Sequence, residues 1–236
     1  MKFTTKIFAD GADKAGILEM DANPLISGFT TNPTLMRKVG LTNYEAFAKD
    51  VLSDIKTKPI SFEVFSDEFE EMERQALKIA GWGDNVYVKI PITNTRRESA
   101  VPLVERLSKA GVKTNVTAMM TLEQTEAILP ALASSPAAYI SIFAGRIADS
   151  GVDPMPLMKA AMAHLEKYPK VELIWASPRE VFNLAQADSI GCHVITMTND
   201  LIKKIPTFGK DLDLFSLETV QMFYNDAQAA GFTLQL

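Results

Sequence analysis

The chain is poor in the residues that usually build a disulfide frame or a metal centre. Its 236 residues include one cysteine, Cys192, and two histidines, His164 and His193. A lone thiol excludes an intrachain disulfide and suits a reducing compartment, so a cytoplasmic location is expected. Two histidines do not furnish a histidine-rich zinc or iron site, and neither a metal nor another cofactor is expected. For carbonyl chemistry such a composition points to an amine instead of a metal ion. Positive charge is also scarce: 24 Lys and Arg against 29 Asp and Glu leave a net charge of −5. With no basic cluster, a nucleic-acid surface is not expected. Long hydrophobic runs are absent as well. The opening MKFTTKIFAD lacks the apolar stretch of a signal peptide, and nothing later approaches a membrane span.

What remains is ample material for a core, at 47% hydrophobic residues. No linker, low-complexity segment or charge block divides it, so residues 1–236 are read as one domain. Short runs rich in β-branched and aromatic residues recur at 3–9, 26–30, 60–65, 86–92, 114–119, 139–144, 171–176 and 194–197. Between them apolar residues fall at helical spacing, as in Phe47, Val51, Leu52, Ile55 and in Val101, Val104, Leu107. Asp153-Pro154 and Ser177-Pro178 each read as an N-cap followed by a first-turn proline. Eight strand–helix units in this length predict a (β/α)8 TIM barrel, with a doubly wound open sheet as the competing architecture. Residues 217–230 predict an extra C-terminal helix, which could pack on a neighbouring subunit of a homo-oligomer.

Lys89 is the residue most out of place. It lies in Val86-Tyr87-Val88-Lys89-Ile90-Pro91-Ile92, which otherwise reads as a strand buried on both faces. Burial strips an ammonium of its hydration, so such a lysine needs a carboxylate partner or a task that requires a free amine. A structural salt bridge and Schiff-base formation with a carbonyl substrate both satisfy the local sequence. The other unusual polar residues also collect at strand ends, where barrels place their chemistry. They are Asp10, Thr30, Asn32, Glu63, Asn115, Thr117, Ser141, Arg146, Ser177 and Arg179. Each has a plainer role open to it. Asp10 could cap a helix, Asn32 could serve a turn before Pro33, and Glu63 could simply pair with Lys89. Asn115 and Thr117 could satisfy each other, and the arginines could be solvated. Their joint placement at strand ends favours a site.

Four segments carry a resemblance through essentially the whole chain. They are Asp10, Gly28-Phe29-Thr30-Thr31-Asn32-Pro33-Thr34, Val86-Tyr87-Val88-Lys89-Ile90-Pro91, and Phe143-Ala144-Gly145-Arg146-Ile147. Together they are similar to the transaldolases, in particular the short-chain group that also contains fructose-6-phosphate aldolase. The resemblance implies a class I aldolase-like barrel acting on sugar phosphates, in pentose phosphate metabolism or a specialised sugar route. It implies that Lys89 is the Schiff-base nucleophile and that Asp10 handles the proton of the sugar C4 hydroxyl. Glu63 and Thr117 resemble the pair that holds a catalytic water. Asn32, Asn115 and Ser141 resemble the groups that bind the dihydroxyacetone unit, with Thr30 and Phe143 in the same site. Arg146, Ser177 and Arg179 resemble a phosphate anchor.

Two positions depart from the family pattern. Gly11 stands where threonine or serine is more usual, and Pro178 where an aromatic residue is more usual, which leaves a sulfonated sugar as an alternative substrate. In the aldolase branch the water-holding positions read glutamine and tyrosine. Here they are Glu63 and Phe143, so the resemblance favours the transferase. A carboxylate touching Lys89 would favour its ammonium form, so a water is expected between Glu63 and Lys89. The competing classes are an isomerase using Asp10 or Glu63 as base, and a barrel that binds a sugar phosphate without acting on it.

Overall fold

The computed structural model describes residues 2–235. Its contacts divide the chain into two units, which end and begin at Ile202 and Lys203. The first is a closed barrel of eight parallel strands. These are β1 (Lys6–Asp10), β2 (Ile26–Thr30), β3 (Ile60–Glu63), β4 (Val86–Pro91), β5 (Thr114–Met119), β6 (Ala138–Ile142), β7 (Val171–Trp175) and β8 (Val194–Thr198). Each pairs with the next, and β8 returns to β1 from Lys6↔Val194 through Asp10↔Thr198. That closure removes the open-sheet alternative and confirms the (β/α)8 barrel. The helices of this unit are α1 (Lys14–Asp21), α2 (Pro33–Lys38), α3 (Tyr44–Asp54), α4 (Phe69–Ala80) and α5 (Val101–Lys109). They continue with α6 (Leu122–Ile128), α7 (Ala144–Asp149), α8 (Met155–Leu165), α9 (Phe182–Ser189) and α10 (Asn199–Ile202).

Local chemistry sets these elements. Asp13, Asn32 and Asn43 each accept a backbone N–H in the first turn of α1, α2 and α3, replacing bonds that a helix start cannot make internally. Thr121 and Gln124 form a reciprocal capping box on α6. Asp153 accepts the Met155 N–H at 2.9 Å ahead of α8, so this expected start holds to within a residue. The Ser177-Pro178 start does not hold. Ser177 takes φ +60°, and α9 opens only at Phe182, after Asn183 has accepted the N–H groups of Arg179 and Glu180. An N-cap requires extended backbone, and Ser177 is in the left-handed region.

The barrel interior is filled by Phe8, Tyr139, Ile174, Ala176 and Val194, with Tyr87 and Phe143 packed against them. Phe8 meets Tyr139 edge to face at 5.6 Å. A Cβ on Gly28 would come within 2.6 Å of the Phe8 ring, so glycine is what lets this ring fill the barrel. Burial of the Phe8, Ile174 and Val194 side chains stabilises the fold by roughly 1.5–3 kcal/mol each. This apolar plug closes the interior below the polar strand ends.

The second unit contains α11 (Leu212–Ala229), the extra C-terminal helix. Asp211 caps it by accepting the Leu214 N–H at 2.9 Å. The Lys210 ammonium pairs with Glu218 and stands 4.6 Å from the Phe215 ring centroid. Among the described residues no helix is long and apolar enough to cross a membrane.

Candidate active site

A cavity of about 450 Å³ opens over the C-terminal ends of the strands, and Asp10, Glu63, Lys89 and Thr117 all line it. Register explains why these groups meet. Glu63 pairs laterally with Lys89, and Lys89 with Asn115, so the three share one row on neighbouring strands. The Lys89 side chain is buried, donates to the Thr31 carbonyl at 2.9 Å, and stands 3.1 Å from Glu63 Oε2. The expected water between Glu63 and Lys89 is therefore corrected: the contact is direct. Laterally paired residues on adjacent strands project to the same side, and here their charged ends converge.

Glu63 is held through its backbone by a residue that sequence reasoning missed. The Tyr44 hydroxyl accepts the Glu63 N–H at 2.7 Å and donates to the Glu63 carbonyl at 2.8 Å. On this side β3 should be paired by β2, but the Phe29↔Ile60 and Thr30↔Ser61 pairing is followed by departure of the chain into α2. The phenol substitutes for the missing strand. Nothing in the sequence around Tyr44 signals this, because the need arises only where β2 ends. Phe62, Phe65 and Trp82 surround the ring, and burial pushes the Tyr44 hydroxyl pKa up.

Asp10 accepts from Thr30 Oγ1 at 2.8 Å, and Asn32 Nδ2 lies 3.3 and 3.5 Å from its two oxygens. Burial raises its carboxyl above the usual range, the Lys89 charge and these two hydrogen bonds oppose the rise, and Glu63 adds to it. Asn32 does two things at once: its Oδ1 caps α2 on the Leu35 N–H at 2.9 Å while its Nδ2 faces Asp10. Pro33 follows in the first turn, so the turn expected before it is a helix N-cap, and the same side chain lines the cavity.

Asn115 is fully buried beneath the cavity. It donates to Ser61 at 3.0 Å and accepts from Ser141 at 2.7 Å, so Ser141 reaches the cavity while Asn115 supports it from below. It does not bond to Thr117, whose Oγ1 is buried with no hydrogen-bond partner among the described residues. The β5–β6 register shifts between Val116 and Met119, with Ala118 at φ +61°, and this bulge sets the aim of Thr117.

On the far side the rim is cationic. Arg146 on α7 lies over the Phe143 ring at 5.1 Å. Arg179 is gripped by Asp149, through Nε at 2.8 and 3.0 Å and Nη2 at 2.5 Å, and its Nη1 donates to Ser177 at 2.9 Å. This grip holds the Asp149 carboxyl below the usual range. Despite Pro178, Arg179 faces the cavity beside Ser177 and Arg146. Gly145 allows the approach: a Cβ there would fall 1.6 Å from the Ser177 carbonyl oxygen.

All twelve residues expected at the site thus gather at one end of the barrel, eleven on the cavity wall and Asn115 just below it. Tyr44, Asp149, Lys38, Thr196 and Thr198 were not foreseen. Only the two threonines had a legible signal, alternating with apolar residues along β8. Among the described residues no group of three or more His, Cys, Asp or Glu could hold a metal ion.

Comparison with known proteins agrees with this geometry. Residues 7–235 match the model of the family described as transaldolase/fructose-6-phosphate aldolase. The chain is 37% identical over 201 residues to a protein of Listeria monocytogenes named probable transaldolase 2, covering 85% of this chain and 88% of that one. It is 35% identical over 201 residues to a probable transaldolase of Methanococcus vannielii (85% and 89% covered). It is 37% identical over 193 residues to one from a Thermoanaerobacter species (81% and 85%). A barrel with this site, matched over nearly its whole length, belongs to the transaldolase/fructose-6-phosphate aldolase family.

Proposed function

We propose that the chain is a transaldolase, moving a dihydroxyacetone unit from a ketose phosphate to an aldose phosphate through an imine on Lys89. The donor is fructose 6-phosphate or sedoheptulose 7-phosphate. The observation that carries this reading is the buried Lys89 amine at the foot of a polar cavity, 3.1 Å from Glu63, with arginines on the opposite rim. The proximity lets Glu63 take a proton from Lys89 as the amine attacks the ketone, and water leaves as the imine forms. Asp10 then removes the C4 hydroxyl proton, the C3–C4 bond breaks, and its electrons pass to the protonated imine nitrogen, leaving an enamine. The aldehyde departs and an acceptor aldehyde enters. The enamine carbon attacks its carbonyl carbon, forming the new C–C bond and restoring the imine, and Asp10 returns the proton to the resulting oxygen. Hydrolysis of that imine frees the new ketose and the Lys89 amine. Thr117 has the free hydroxyl suited to holding the water used in that step.

Asn32 and Ser141 orient the three-carbon unit, with Asn115 and Thr30 behind them and Phe143 walling the site. Arg146, Ser177 and Arg179 take the phosphate, converting remote binding energy into alignment of the reacting carbons. The carboxylate at position 63 and the phenyl ring at 143 favour transfer over release of free dihydroxyacetone. The test is turnover of fructose 6-phosphate with and without an aldotetrose phosphate. Consumption that depends on the acceptor supports the transferase; equal consumption with dihydroxyacetone accumulating would establish the lyase instead.

A further inference from the structure

Thr196 on β8 takes no part in the steps above, yet it lies in the wall of the cavity and is buried except towards it. Its Oγ1 is 2.5 Å from Thr30 Oγ1, which in turn is 2.8 Å from Asp10 Oδ1. A hydroxyl has one hydrogen. Asp10, when ionised, only accepts, so the Thr30 hydrogen is committed to it. The hydrogen between the two threonines must then belong to Thr196. The chain has a direction: Thr196 donates to Thr30, and Thr30 donates to Asp10. Such chains polarise each link, so the first donor strengthens the bond made by the second, and a bond to a carboxylate is stronger than one between neutral groups.

We infer that Thr196 is a positioning residue, which acts through Thr30 to fix Oδ1 of Asp10 and leave Oδ2 as the oxygen that exchanges the substrate proton. Asn32 is the other protein group facing Oδ2, at 3.3 Å, and its contact there is long enough to yield to a substrate hydroxyl. The charged groups that face Asp10 are Lys89 on β4 and Glu63 on β3. Thr196 lies on β8, on the opposite side of β1 from both, and reaches Asp10 through Thr30 on β2. The relay therefore adds neutral donors, anchored on β8 and β2, to the stabilisation that the Lys89 charge gives the carboxylate. Loss of Thr196 leaves Asp10 easier to protonate.

This rests on the proposed role of Asp10, and the experiment separates the two. Thr196→Val keeps the shape and removes the hydroxyl; Thr196→Ser keeps the hydroxyl. The expected result for Thr196→Val is a roughly fivefold fall in kcat/KM at neutral pH, the loss of about one net hydrogen bond. The acid limb of its pH profile should move to higher pH, KM should change little, and Thr196→Ser should restore the wild-type profile. The same upward shift should appear in the Asp10 carboxyl resonance of carbon-13-labelled protein, a readout independent of turnover. An unmoved carboxyl titration, or a Thr196→Ser variant as impaired as Thr196→Val, would overturn the relay. A rise in KM with an unchanged pH profile would also overturn it, assigning Thr196 to direct substrate contact. Borohydride trapping of an adduct on Lys89 in the wild type is the control. Its absence would remove the imine reading itself, whereas trapping with no shift in Asp10 would remove only the relay.

Discussion

Gly145→Ala tests whether the loop carrying Ser177 and Arg179 serves the phosphate end of the substrate. A methyl group at position 145 would stand 1.6 Å from the Ser177 carbonyl oxygen, and real contacts of this kind essentially never fall under 3.0 Å. One of the two backbones must therefore retreat by about 1.4 Å, the difference of those two distances. The obstacle is a carbonyl, not the end of a flexible side chain, and Ser177 already occupies the left-handed region at φ +60°. Arg179 Cγ lies 3.3 Å from the same point, so the displacement carries both anion-binding groups with it. Misplacing a positioning group by about 1 Å can cost roughly 10²-fold in rate. The expected outcome is a fall of about that size in kcat/KM for phosphorylated donors. Imine trapping with unphosphorylated dihydroxyacetone should persist, since Lys89 and Glu63 lie on β4 and β3, away from the disturbed loop. Steady-state kinetics on both donors, with circular dichroism to verify the fold, measures this. Equal losses on the two donors in a folded variant would refute the assignment of the loop to the phosphate, and so would unchanged kinetics.

Asp10→Asn should lower turnover by about 10²–10⁴-fold, the usual contribution of a general acid–base group. It should also raise the thermal midpoint at pH 7. Burial raises the Asp10 carboxyl pKa above its ordinary value of 3.8, so the native state binds that proton more tightly than the unfolded chain does. The group therefore costs stability as pH climbs past that value, and the gain from asparagine should vanish below it. A midpoint lowered at pH 7 would contradict the sign. Tyr44→Phe removes the hydroxyl that pairs with both backbone groups of Glu63. It should destabilise the protein by about 1–3 kcal/mol in urea denaturation and reduce kcat more than it raises KM. A variant as stable and active as the wild type would mean that the strand end holds itself.

The barrel was legible because its strands are short apolar runs separated by stretches of helical spacing, and because eight such runs fit the length. The site was legible where a residue conflicts with its surroundings, as Lys89 does on a buried strand and Asp10 and Glu63 do at strand ends. Relationships between strands were not decided by the sequence, which left a direct Glu63–Lys89 pair open beside a bridging water. That Glu63 and Lys89 touch directly follows from their lateral register, which no single strand reveals. Tyr44 is an ordinary first residue of α3 until β2 ends early and leaves Glu63 without a strand partner on that side. Ser177-Pro178 reads locally as a helix start, yet the close approach of Gly145 accompanies a left-handed Ser177 instead. Asn32 was legible as a turn residue and a site candidate, but not as the cap of α2 or the neighbour of Asp10, which its separate acceptor and donor allow at once.

The central claim is a covalent bond between the Lys89 nitrogen and a keto sugar. Incubation with fructose 6-phosphate followed by borohydride reduction, with peptide mass spectrometry, tests it most directly. The account predicts a reduced three-carbon or six-carbon adduct on Lys89 and none in Lys89→Met. An unmodified Lys89 peptide from protein that turns the substrate over would contradict it.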